Sequence, residues 1–272
     1  MQEASLRLLI FLGIFTVVAL IEWFLPKRVP RESRWTRWKV NLSILLLDVV
    51  IQRLTLGAAA YVTAIYAEEH GWGLFHLLDW PPLLEGLLGF LILDFAIYLQ
   101  HVLSHALPVF WRLHQVHHTD LDVDLTTGTR FHPIEILVSL LWKIGLVAAL
   151  GIGPWTVVIF EATLNGAAVF SHANVRIPER IDRVLRWFVV TPDMHRVHHS
   201  VYPRETNSNF GFFLSVWDRL CGTFIDQPKD GHEAMTIGLP AYRNQAKLGL
   251  GTLLAMPFWR RLIRSSGKAD RD

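Results

Sequence analysis

The sequence predicts an all-α integral membrane helical bundle, with about four to five membrane-embedded helices including a hairpin, and a cap of shorter helices on the cytoplasmic side. Three observations carry this reading. The 272 residues are 51% hydrophobic and 18% charged, with a mean hydropathy of +0.31, too apolar and too lightly charged for an ordinary soluble domain. Apolar runs of about 20 residues, the length that crosses a hydrocarbon core, recur along the chain. Lysine and arginine gather in particular loops, which orients the bundle through the positive-inside rule. Net charge is only +2, so no nucleic-acid partner is expected. Cys221 is the sole cysteine, which excludes disulfides within the chain and leaves thiolate or iron–sulfur sites without ligands.

The run 5–25 is the first span, with Arg7 and Glu22 near its ends, where snorkelling is cheap. It lacks the charged start and small-residue cleavage pattern of a secretory leader. Residues 27–39 hold six Lys or Arg against one Glu, with Trp35 and Trp38 as interfacial aromatics, so this loop is expected in the cytoplasm and the N-terminus outside. A second span, 42–66, carries Asp48 and Gln52 on one face, and these must meet protein or water. Residues 68–82 contain no Lys or Arg and fit an outside loop. The third span, 83–107, ends at Pro108, and a short helix, 109–119, follows it. Asp120, Asp122 and Asp124 lack the glycine and distal glutamate of an EF-hand and read as a solvated turn. Lys143 and Gly151-Ile-Gly-Pro154 interrupt the apolar stretch 134–170, which therefore folds as a helical hairpin. Arg176, Arg180, Arg183 and Arg186 return the chain to the cytoplasm. Residues 212–224 form an amphipathic element, and 248–263, with Trp259, an interfacial helix on the cytoplasmic leaflet. Three regions follow: an N-terminal transmembrane hairpin, 1–82, a catalytic region, 83–232, and a C-terminal interfacial helix and tail, 233–272.

Nine of the thirteen histidines fall in four segments. His114, His117 and His118 stand at i, i+3 and i+4, and so do His195, His198 and His199, so each triplet shares one helix face. His101 and His105 are an i, i+4 pair, and His172 ends the hairpin. Neutral imidazole is the commonest metal ligand near neutral pH. Nine exceed the needs of one ion, so a dimetal site is the natural use of them. A solvated histidine face or a single structural zinc are the plainer alternatives. For the ligands to meet, His172 must return to the side holding His101, which the hairpin allows.

Polar residues inside the spans are candidates for supporting roles. Asp94 lies seven residues before His101 on one face and could accept the other ring N–H of a ligand. Glu161 and Asn165 share a face with His172. His132, beside Pro133, admits three roles: a tenth ligand, a donor behind the ligands, or an ordinary loop histidine.

The chemistry is narrowed by what is missing. No His-Glu-x-x-His motif is present, because Val102 follows His101, so a zincin protease lacks its base. A transporter would string ligands along a midplane path, whereas these cluster near one interface. Redox metals where a lipid meets the cytoplasm suggest O2 activation and attack on a C–H bond. A histidine-based membrane metal transporter or sensor is the alternative.

The segments His101-x3-His105, His114-x2-His117-His118 and His195-x2-His198-His199 resemble the histidine boxes of the fatty acid hydroxylase and sterol desaturase superfamily. The resemblance extends to Arg130-Phe-His-Pro, Phe170-Ser-His-Ala-Asn174 and Trp217-Asp-Arg-Leu-Cys-Gly-Thr-Phe224, and covers roughly residues 88–224. It implies a non-haem centre of two iron ions, with zinc able to replace iron in purified protein, O2 as co-substrate, and the nine histidines as ligands. It also implies a membrane lipid substrate, sterol-like, fatty acyl or other, and hydroxylase or desaturase activity. Some fatty acyl hydroxylases have a further histidine four residues after the position of His172, where this chain has Arg176. With no room seen for a fused haem domain, electrons are expected from a separate donor, cytochrome b5-, ferredoxin- or reductase-like.

Overall fold

The computed structural model describes residues 2–78 and 80–259. Among these there is no strand pairing beyond three isolated bridges, one of which ties Pro26 to Val175. Four stretches are long and apolar enough to cross a membrane: Ser5–Phe24, Arg34–Leu77, Pro82–Ala106 and Pro133–Leu150.

Helix α1 is Gln2–Phe24. The second span departs from the expected single helix 42–66. It comprises α2, Arg34–Thr55, and α3, Ala59–His70, separated where Gly57 takes φ +52°. The Leu56 and Gly57 amides both donate to the Gln52 carbonyl, which spends the bonds that would have continued the helix. Next come α4, Pro82–Ala106, and α5, Pro108–His118. Proline stands at the first position of both, where its missing N–H costs nothing.

The expected hairpin is present as α6, Pro133–Leu150, and α7, Pro154–His172. Gly151 ends α6 in the left-handed conformation, and a Cβ there would lie 2.5 Å from the Trp72 carbonyl oxygen. Only glycine allows the hairpin tip to meet the α3–α4 loop this closely. Helix α7 packs against α1, α3 and α4 and returns His172 to the end of the bundle that holds α5.

The cap is built from α8 (Glu179–Leu185), α9 (Pro192–His198), α10 (Pro203–Thr206), α11 (Val216–Leu220), α12 (Gly231–Ala234) and α13 (Leu250–Ala255). The expected interfacial helix 248–263 is only partly described, since 260–263 lie outside the described residues. Its described part is buried, not spread on a leaflet: Leu248, Leu253 and Met256 pack with Ile44, Val116 and Leu121. Burying that cluster fastens the C-terminal region across α2 and α5.

The acidic stretch after α5 is also buried, against the expectation of a solvated turn. Arg37 of α2 grips Asp120 with two bonds, Nε to Oδ1 at 2.7 Å and an Nη to Oδ2 at 2.8 Å, and reaches Asp124 at 2.6 Å. Arg130 donates to the Val116 carbonyl, to Asn41 and to Thr119, which satisfies a carbonyl in the last turn of α5. Burial alone would raise the Asp120 carboxyl, but Arg37 overrides this and holds it well below the usual carboxylate range. Glu22, at the end of α1, accepts the Leu125 and Asn174 amides, each at 3.0 Å.

Candidate metal centre

All nine clustered histidines are buried, and their ring nitrogens converge in two groups. The first contains His101, His105, His114, His118 and His198, the second His117, His172, His195 and His199, with one nitrogen of each residue within 4.8 Å of the others in its group. Each triplet is shared. His114 and His118, one turn apart on α5, face the first group, while His117 between them turns to the second. On the α9 segment the roles reverse: His195 and His199 face the second group and His198 the first. A spacing of four keeps two rings on one face, and the third, offset around the helix, reaches the neighbouring group.

Short helices with firm starts hold these rings. Thr191 caps α9 by accepting the Met194 amide, with Pro192 at the first position. His172 is set by a close approach: a Cβ on Gly128 would lie 2.4 Å from the Ala168 oxygen. That oxygen accepts the His172 Nδ1–H at 2.6 Å.

The outward nitrogens of the first group are bonded to the protein. His101 Nδ1 donates to the Phe210 carbonyl at 2.8 Å and His198 Nδ1 to the Ser208 carbonyl at 2.7 Å. His114 Nδ1 pairs with Glu135 at 2.6 Å and His105 Nδ1 with the Asn207 side-chain oxygen at 3.3 Å. Asn209 lies between the two donating carbonyls with φ +51°, a conformation asparagine tolerates better than most residues. Its side chain is bonded to the Met194 and Ile225 carbonyls. Bonds of this kind keep the proton on Nδ1 and turn the Nε2 lone pair inward.

Inward-facing nitrogens lack protein partners. Nε2 of His105, His118 and His198, and both nitrogens of His199, are buried and unbonded. Each would cost about 1–3 kcal/mol if left so. The Nε2 atoms of His117 and His172 lie 3.1 Å apart and those of His172 and His195 3.0 Å. Burial, reinforced by neighbouring imidazoles, holds His117, His118, His195, His198 and His199 well below the ordinary imidazole value, so the rings are neutral. Neutral, inward-facing imidazoles in sets of five and four are a donor set that fits two transition-metal ions.

The proposed supporting residues lie elsewhere. Asp94 accepts from the Trp217 indole at 2.8 Å and the Leu214 amide at 3.2 Å, not from a histidine. Seven residues are two turns, about 10 Å along the axis, so sharing a face with His101 does not bring it within reach. Glu161 pairs with Arg7 and Lys143, and Asn165 is exposed. His132 caps α6 by accepting the Ile134 amide and meets the Leu254 carbonyl at 3.2 Å, so it is neither in the ligand groups nor behind them. The sequence reading missed Glu135 and the segment 207–210. Glu135 stands two residues after Pro133, whereas backbone carbonyls leave no trace in side-chain patterns.

An α-helical membrane bundle with two adjoining polyhistidine sites defines the class of membrane-bound metal oxidoreductases. The chain matches the fatty acid hydroxylase family over residues 86–223 and belongs to that family. It is 31% identical over 185 residues to ornithine lipid hydroxylase OlsE of Rhizobium tropici, covering 67% of this chain and 53% of that protein. Alkylglycerol monooxygenase of Xenopus tropicalis is 32% identical over 159 residues, 57% of this chain and 34% of that protein. Cholesterol 25-hydroxylase of Homo sapiens is 26% identical over 137 residues, 49% of this chain and 48% of that protein. The chain thus spans about half or less of the length of these relatives. No solved structure matches it.

Proposed function

We propose that this chain is an O2-dependent oxidase of a membrane lipid, a hydroxylase in the first instance, working with two iron ions held by the nine histidines. The observation that carries this is the convergence of nine buried, neutral imidazoles into sets of five and four. Iron bound there would supply the oxidant that inert C–H bonds require. The chain itself holds the donor nitrogens in place through Glu135, Asn207 and the 208 and 210 carbonyls, and keeps water from the site by burying every ring. Hydroxylation of R–H consumes O2, two electrons and two protons and yields R–OH and water, so an electron donor is required. A separate cytochrome b5-, ferredoxin- or reductase-like protein fills that role in this reading.

Relatives named for an ornithine lipid, an alkylglycerol and cholesterol favour a lipid with a polar head as substrate, and residues 83–232 as the catalytic unit. The site is read as cytoplasmic because the basic loop 27–39 sits beside it: Lys27 bonds Asp193 at 3.0 Å and Arg37 bonds Asp120. Cysteines at positions 34 and 180 should label from the cytoplasm and one at 71 from the opposite side.

The decisive test is O2 uptake by purified, iron-loaded protein in native lipid extract with ferredoxin, ferredoxin reductase and NADPH, followed by mass spectrometry of the lipids. Gain of one oxygen in a lipid, lost in His118→Ala and His199→Ala, is the expected result. Metal flux across vesicles with no O2 consumption would replace this reading with a transporter.

A further inference from the structure

A cavity of about 60 Å³ lies between α4, α5 and α6 at their histidine-bearing ends. Its volume equals about two waters or a few carbon-sized groups. Five of its eight lining residues are apolar, among them Leu103, Val138 and Trp142. Such a wall is poorly suited to holding water, which needs two to four polar partners. The far end is closed by the Trp142 indole, which donates to the Ala96 carbonyl at 3.1 Å and joins α6 to α4. Both helices are long and apolar enough to span the membrane, and Leu141 and Trp142 are exposed on the outer surface.

Polar lining comes from Gln100, Ser104 and Glu135. Ser104 already donates to the Gln100 backbone carbonyl at 2.9 Å. Glu135 uses one oxygen on His114. The remaining acceptors, Gln100 Oε1 and Glu135 Oε2, are buried without a partner, at a cost that a ligand bringing hydrogen-bond donors would remove. A plain hydrocarbon brings none.

We propose that this cavity takes the donor-bearing end, a hydroxyl or amide N–H, of a membrane lipid, whose chain continues between α4 and α6 into the bilayer. This rests on the lipid-oxidising reading and adds to it the chemistry by which the lipid is chosen. Gln100 is then a specificity residue that works without touching the histidines' inner nitrogens.

The test uses full-length, metal-loaded protein in phosphatidylcholine vesicles with hexadecylglycerol, a glycerol ether, carrying a chain diazirine. Illumination should label the wild type between residues 96 and 142. Hexadecanol should compete and hexadecane should not. Val138→Trp, which fills the cavity, should lose the label while keeping two metals per chain. Gln100→Leu should weaken binding of this glycerol ether and raise its KM about tenfold, the worth of one hydrogen bond, with less change in kcat. Labelling spread over all lipid-facing helices, or unaltered in both variants, overturns the proposal. Cross-linking needs neither O2 nor electrons, so specific labelling without product would sink only the oxidase reading, and product without specific labelling only the cavity.

Discussion

The two histidine groups are built alike and supported differently. In the group of five, four rings have their outer nitrogen tied to the protein, three of them by the short segment 207–210 and one by Glu135. In the group of four only His172 is tied in this way, to Ala168, while the Nδ1 atoms of His117, His195 and His199 have no protein partner. A ring whose tautomer is fixed loses less freedom on binding metal. The difference teaches that the two ions, though held by shared triplets, should differ in how firmly they are kept, with the four-histidine ion the more easily exchanged.

The strongest way to break this comparison is to delete one ligand from each side. His198→Ala should remove the five-histidine ion and His195→Ala the four-histidine ion, each leaving one metal by elemental analysis and lowering lipid oxidation at least about a thousandfold. Loss of both ions from either variant would show one coupled cluster instead of two sites.

Acid comes next. The five shifted rings outside the spans have folded values well below their unfolded value near 6.5. Protons therefore bind the unfolded chain more readily. Stability is complete above about pH 6.5 and is lost as pH falls, by up to about 1.4 kcal/mol per unit for each ring. Thermal unfolding of metal-free protein between pH 7.5 and 5 should show this slope, and bound metal should shift it to lower pH.

Arg37→Leu should destabilise the protein by about 3–5 kcal/mol, because Asp120 and Asp124 are left buried without their cation. It should affect both groups equally, since α5 contributes to each. Glu135→Gln sharpens the comparison further: metal affinity of the five-histidine group should fall about 10–100-fold while the other is unchanged. The smallest effect is expected from Asn209→Ala. The left-handed backbone then costs about 1–2 kcal/mol, and only the His101 and His198 side of the centre should loosen, read as faster iron loss to a chelator.

Local pattern made the ligands legible and concealed their supports. Nine histidines at helical spacing and a Gly-x-Gly-Pro break sufficed to anticipate the converging rings and the α6–α7 hairpin, because both depend on residues within a few positions of one another. How the rings divide into five and four was not legible, since it depends on how α5 and α9 are turned toward each other. Asp120, Asp122 and Asp124 looked solvated because the cation that buries them, Arg37, lies more than eighty positions earlier. Asp94 and Glu161 were drawn toward the histidines by shared helix faces, while their true partners, Trp217 and the pair Arg7 and Lys143, come from distant helices.

Glu22 joins three distant parts of the chain: the end of α1, the loop after the first triplet, and Asn174 beyond His172. Its two acceptor bonds can form only after residues 125 and 174 have been synthesised and the first span already lies in the bilayer. The last of the nine histidines, His199, emerges from the ribosome later still. Loading with metal is therefore a finishing step in biogenesis, and a cell short of iron should accumulate a fully inserted chain that is metal-free and open to degradation in its cap.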